Sequence, residues 1–334
     1  MSQSSKLSTD VKKQHTVPRF LLDHFGFGKK NKKRRLFTFD KKNEREFQQS
    51  VFDATTRNSF YNISDHPEKA SLEPILGIYE TKAAPIIKKI ITANNISCLT
   101  EDEKIIIATF TAVQRGRSFG ELQRINHLMS AVSDKFEAIG ATPEQIEKEL
   151  GSEGSSERKT LFLKMILDQN DVITHIMNKS WILYETCNSN PFYISDNPIT
   201  LYNDIDMGFY GNLGVGLKGI QIHLPLSTTL TLAFTCPSIA ERAIKSKRQV
   251  EQMSIMNPQM LHMLKNPSKL VKYGEAYETG VPMKQTAENV RFLNSLQVTF
   301  SEQYVFSEKD DFSLIKEMIA NDGSYKTGPR MQVN

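Results

Sequence analysis

The chain is poor in cysteine: Cys98, Cys187 and Cys236 are the three in 334 residues. They are far apart in sequence and form no C-x-x-C pair, which excludes a disulfide framework and a thiolate zinc site. Reduced thiols and a cytoplasmic location are the plain expectation. Long apolar runs are lacking too. None approaches the ~20 residues that cross a bilayer, and the polar stretch Met1–Asp10 has no apolar core of a secretion signal. No membrane partner is expected. There is no internal repeat, and no charge or composition extreme that would mark wholesale disorder, with 39% hydrophobic and 24% charged residues.

Charge is present but unevenly spread. Residues 1–50 hold 13 Lys and Arg against 5 Asp and Glu, while the remainder holds 29 against 33. Much of the excess is the run Lys29, Lys30, Lys32, Lys33, Arg34 and Arg35, a set suited to tracking phosphates. A solvated loop is the competing reading.

Periodicity organises the rest. Residues 1–13 read as a loose tail. Pro18 opens a short amphipathic helix through Phe20, Leu21, Leu22 and Phe25, closed by Gly26 and Gly28. Two alternating segments, 36–40 and 44–47, read as a β-hairpin. Ile75, Tyr79, Ile86 and Ile90 form one stripe of a helix over 71–92, with a kink expected at Pro85. A long helix is predicted over 101–135, opened by the capping box Thr100–Glu103 and carrying Ile106, Phe110, Val113, Arg117, Arg124 and Leu128 within one arc. After a flexible linker, Gly151–Ser156, a further helix over 158–180 is predicted.

From Trp181 the period changes to two, with strands at 181–185, 192–194, 220–224, 229–234 and 304–306. Helices are predicted at 238–255, 257–266, 286–297 and 312–320. The order reads as α+β: a helix-rich N-terminal lobe with a hairpin (14–150), then an antiparallel sheet with helices (157–322) in the same compact unit, then a polar tail (323–334).

Several residues carry chemistry. Gly214–Gly219 fits G-x-G-x-x-G by letter, but a strand follows it where a dinucleotide fold needs a helix, so no nicotinamide or flavin cofactor is expected. His15 beside the Pro-opened helix is a candidate base or ligand. Arg117 in an apolar arc must find an acceptor or mark where the helix leaves the core; the bland account is an Arg117–Glu121 ladder. Glu80 lies off its helical stripe and reads as exposed. Ser195–Pro198 closes a strand, and His223 sits within Ile-Gln-Ile-His-Leu.

Taken in order, Gln14-His15-x-Val17-Pro18 with Leu21 and Phe25, Asn58–Tyr61, Glu80 with Ala84-Pro85, Gln114-Arg115-x-Arg117, Trp181, Phe192 with Ser195–Pro198, Leu224–Ser227 and Asn294 resemble the bacterial domain-of-unknown-function family 4238 over about residues 14–308. The resemblance brings no established activity. It implies a set to consider together: His15, Glu80, Gln114, Arg117, Asp196 and Asn197. A base, two carboxylates and an arginine suit metal-assisted phosphodiester hydrolysis. Glu80 and Asp196 would then hold Mg²⁺ or Mn²⁺, with His15, Gln114, Arg117 and Asn197 completing the site and the basic run drawing in DNA or RNA, as in a bacterial defence nuclease. The alternatives are a non-catalytic nucleic-acid or nucleotide-binding protein and a protein-interaction domain with a buried polar network.

Overall fold

A computed structural model of the chain describes residues 9–28, 33–63, 70–152, 155–206 and 213–330. β1 (Lys13–His15) leads through Pro18 into the one-turn α1 (Arg19–Leu22). β2 (Arg35–Asp40) and β3 (Arg45–Ser50) form the expected hairpin, and β4 (Thr56–Asn58) returns antiparallel to β1. Six helices follow: α2 (Glu73–Ala93), α3 (Glu101–Gly116), α4 (Phe119–Ala138), α5 (Pro143–Leu150), α6 (Ser156–Leu167) and α7 (Asn170–Met177). The second half comprises β5 (Ser180–Glu185), β6 (Ile194–Ser195), β7 (Thr200–Tyr202), β8 (Gln221–Pro225), β9 (Leu230–Thr235), α8 (Pro237–Met256), α9 (Pro267–Thr279), β10 (Met283–Lys284), α10 (Ala287–Phe300), β11 (Tyr304–Ser307) and α11 (Ser313–Asn321).

The architecture is α+β. One sheet runs β10-β5-β9-β8-β7 and a second runs β3-β2-β11-β6. The second is antiparallel throughout, but β10 lies parallel to β5, so the first sheet is mixed rather than antiparallel. The hairpin does not stand alone. β2 pairs with β11, and β11 with β6, so one sheet takes strands from both ends of the chain. The central strands are covered on both faces, and β9 is buried at every position. Leu183, Leu224 and Leu232 on the first sheet meet Ile87 and Ile90 of α2 and Ile107 of α3 in the main core. Phe39, Val298, Val305 and Ile315 form a smaller core against the second sheet. Phe60, Leu76, Val113 and Phe162 form a third.

Three helix expectations are corrected. The helix predicted over 101–135 is two helices. Ser118 is extended, and its hydroxyl accepts from the Glu121 N–H, so it caps a new helix while Arg117 closes the one before. The helix over 158–180 breaks at Asp168–Gln169 between α6 and α7. Residues 258–263 are 3-10 helix, and α9 follows where no helix was expected. α2, by contrast, continues through Pro85 as one helix. Cys98, Cys187 and Cys236 are all free thiols. Among the described residues no helix is long and apolar enough to cross a membrane.

The C-terminal residues dock through Lys41. Its Nζ is buried and donates to the carbonyls of Val298 (2.6 Å) and Ser301 (2.7 Å) at the end of α10, and to Thr327 at 3.4 Å. Those carbonyls are the ones a helix C-terminus leaves unsatisfied. Burial lowers the Lys41 ammonium to about 8, partly offset by Asp196 and Glu302. Arg330 pairs with Glu302.

Candidate active site

The six residues singled out by the motif order fall into two groups. The first forms where β1, the start of α1, α2 and the end of α3 meet. Gln114 is fully buried. Its Nε2 donates to the Thr16 carbonyl at 2.9 Å and its Oε1 accepts from Arg117 Nε at 2.8 Å. Arg117, 1% exposed, reaches across to α2, where its Nη1 lies 2.8 Å from Glu80 Oε1. The expected Arg117–Glu121 ladder is absent: Glu121 takes Arg124 instead. Arg117 Nη2 is buried without a partner among the described residues. Burial pulls the guanidinium down, yet Glu80, Tyr61 and Glu73 together hold it above its ordinary value. Tyr61 completes the cluster. Its hydroxyl donates to the Arg117 carbonyl at 3.1 Å, and its N–H donates to Gln14 Oε1.

His15 closes β1 beside this pair. Its Nε2 lies 3.0 Å from the Phe52 carbonyl. A carbonyl only accepts, so Nε2 carries the hydrogen and Nδ1 keeps its lone pair. Burial lowers the His15 pKa against the opposing pull of the Phe52 carbonyl and Glu80, so the ring is neutral at pH 7.

Glu73 was not singled out in the sequence, yet it lines the same cavity as His15 and Glu80. Two helical turns separate it from Glu80, and at that spacing both side chains leave α2 on one face. Burial, reinforced by the nearby Glu80 charge and only partly offset by Arg117, raises its carboxyl to about 7. The signal available was this i, i+7 carboxylate pair at the start of a helix.

The cavity measures about 370 Å³ and is also walled by Arg19, Asp23 and Ala84. It adjoins a groove of about 1,100 Å³ through the shared residues Arg19, Phe20, Asp23 and Ala84. The groove carries Lys33, Arg34 and Lys88, with Phe52 on its wall. Two members of the basic run therefore face the groove. Arg35 lies in β2 and donates to the Gln48 carbonyl. Lys29, Lys30 and Lys32 lie outside the described residues.

The second group surrounds Asp196. Its Oδ1 accepts from the N–H of Glu302 (2.8 Å), and its Oδ2 from those of Gln303 (2.8 Å) and Tyr304 (2.9 Å). Burial raises this carboxyl, opposed by those N–H groups and by Lys41. Asn197 Nδ2 donates to the Phe300 carbonyl, and Ser195 Oγ to Gln297 Oε1. Asn294 takes the Tyr193 N–H and donates to the Pro191 carbonyl. These residues pin the 191–198 segment to α10. Glu80 and Asp196, expected to share a metal ion, thus have separate partners: one holds Arg117, the other three backbone amides. Among the described residues no group of three or more His, Cys, Asp or Glu is placed to hold a metal ion.

The fold and site define an α+β protein whose cavity gathers His15, Asp23, Glu73 and Glu80 at the end of a basic groove. Residues 13–311 match the family described as "Protein of unknown function (DUF4238)". The chain belongs to that family. No curated protein and no solved structure matches it.

Proposed function

We propose that the protein is a bacterial, cytoplasmic ribonuclease that cleaves RNA by general acid–base catalysis at the His15–Glu73 cavity, in a role such as defence against foreign nucleic acid. The observation that carries this reading is the pairing of a neutral imidazole with a carboxyl raised to about 7 in one cavity, at the end of a basic groove. Proton transfer is most effective when acid and base titrate near the working pH. RNA supplies its own nucleophile, the 2′-hydroxyl.

In the proposed reaction His15 Nδ1 takes the 2′-hydroxyl proton as that oxygen attacks phosphorus. The bond from phosphorus to the 5′-oxygen breaks, and that oxygen takes the Glu73 proton. The products are a 2′,3′-cyclic phosphate and a free 5′-hydroxyl. Arg19, which lines both cavity and groove, offsets the added phosphoryl charge. Arg117 holds Glu80 in place, and Glu80 in turn favours the imidazolium that His15 becomes. Lys33, Arg34 and Lys88 hold the strand. No step draws on the Mg²⁺ or Mn²⁺ expected at Glu80 and Asp196: Glu73 acts here as a protonated acid, and a carboxyl must lose its proton to ligate a cation.

Labelled RNA and DNA of one sequence, incubated with Mg²⁺, Mn²⁺ or chelator, test the reading. The expected result is RNA cleavage, reduced at least ~100-fold in His15→Ala and in Glu73→Gln, with Asp196→Asn acting through stability alone. Salt-sensitive binding without cleavage would favour a non-catalytic RNA- or DNA-binding protein, a reading that the groove cations and Phe52 also support.

A further inference from the structure

A second cavity, of about 420 Å³, lies on the first sheet and shares no lining residue with the His15 cavity or its groove. Strand register explains its floor. Tyr202 stands opposite Gln221, and Tyr184 opposite both Thr231 and Met283. Thr231 also stands opposite Pro225, two residues beyond His223, so Tyr184, Gln221 and His223 share one face. α9 and α10 cover this face and add Tyr273 and Phe292. Tyr202 and Phe292 meet edge to face at 4.8 Å.

His223 is 3% exposed, lines the cavity, and its Nδ1 has no hydrogen-bond partner among the described residues. The hydroxyls of Thr200, opposite His223, and of Thr231 are likewise buried and unpartnered. Neither threonine lines the cavity, but His223 does, and an orphaned buried ring nitrogen on the cavity wall is costly and points to an occupant that satisfies it. Burial lowers His223 to about 4. It is therefore neutral at pH 7, with one ring nitrogen to donate and one to accept.

The other end of the cavity is electropositive. Asn266, Lys269 and Leu270 place the N-terminus of α9 there, and that terminus has no side-chain cap. Lys265 and Lys269 flank it, and among the described residues no Asp or Glu lines the cavity. Pro267 has no N–H and those of Lys269 and Leu270 are taken by the Asn266 carbonyl, so it is the positive end of the helix dipole with two lysines that favours an anion. The volume falls within the ~300–1,000 Å³ of small-molecule sites.

We propose that this cavity binds a nucleoside 5′-monophosphate, its base between the aromatic side chains with His223 and Gln221 on its edge, and its phosphate at Lys265, Lys269 and the start of α9. The proposal does not depend on the ribonuclease reading. It is tested by calorimetric titration of the full-length protein with 5′-AMP, 5′-GMP, 5′-CMP and 5′-UMP, and separately with the nucleosides, inorganic phosphate and a 5′-phosphorylated trinucleotide. At least one mononucleotide should bind, about tenfold better than its nucleoside and than phosphate. Lys269→Ala, on the exposed side, should weaken it about tenfold, and the His223 imidazole ¹⁵N resonances should move on binding. If the trinucleotide binds more tightly than the mononucleotide, the occupant is the end of a strand; the converse assigns a free nucleotide. No heat with any of the four at ~1 mM, or binding untouched by Lys269→Ala with unmoved His223 resonances, would overturn the proposal.

Discussion

At the residue scale, the Arg117–Glu80 pair is asymmetric, and the asymmetry is measurable. The arginine side chain is 2% exposed and the glutamate 29%. Removing Glu80 leaves a cation buried without its partner, which costs about 3 kcal/mol. Removing Arg117 leaves a carboxylate that water can reach. Urea unfolding should therefore find Glu80→Ala more destabilising than Arg117→Met; equal costs would show that burial does not govern the pair. The sequence marked Arg117 because an arginine stood in an apolar arc. It did not yield the partner, because helical periodicity put Glu80 outside its own stripe and the pairing joins two helices.

Glu73 makes a pH-dependent prediction. Its folded pKa, about 7, lies above the ordinary 4.5. Its contribution to stability is thus fully present below ~4.5 and lost as pH rises through ~7. Glu73→Gln removes the cost of ionising there. At pH 8 the variant should be more stable than the parent by about 1 kcal/mol, allowing for solvent screening, and the gap should narrow by pH 5. A gap independent of pH would mean that Glu73 is not held protonated.

At the scale of elements, the α3–α4 break places the site. If the chain were one helix to residue 135, Arg117 would lie mid-helix. As built, it ends α3 with its carbonyl on Tyr61 and its guanidinium on α2. The arc runs on through Arg124 and Leu128 as if the helix were unbroken, which hides the break from periodicity. The signal was Ser118 three residues before Glu121, the pattern that opens helices. Ser118→Ala should cost about 1 kcal/mol by thermal denaturation.

Lys41 does comparable work between elements, joining the β2–β3 turn to the end of α10. Lys41→Met leaves two or three buried carbonyls unsatisfied and should cost about 2–4 kcal/mol in urea unfolding. Its role could not be read from the sequence, where Lys41 and Lys42 flank a hairpin turn as equals. The partners lie some 260 residues away.

At the scale of the molecule, the α+β class was legible from the change of hydrophobic period near Trp181, because period reports backbone geometry directly. The pairing of β2 with β11 was not. Register between distant strands is set by packing, which local pattern does not encode. The candidate site was legible in part for the same reason. His15, Glu80, Gln114 and Arg117 converge, while Asp196 and Asn197 serve the attachment of α10. The early charge excess acquires a place: Arg19, Lys33 and Arg34 line a groove that ends at His15.

The central claim is that this cavity moves protons to and from RNA. Its most direct test is cleavage of a single-stranded oligoribonucleotide, alongside a copy with one 2′-deoxyribose at the scissile position, across pH 5–9. The account predicts cleavage to a 2′,3′-cyclic phosphate and a 5′-hydroxyl, falling as pH rises through ~7 where Glu73 loses its proton, and no cut at the deoxyribose. Equal cleavage of both oligonucleotides, or a rate that climbs through pH 8, would contradict it.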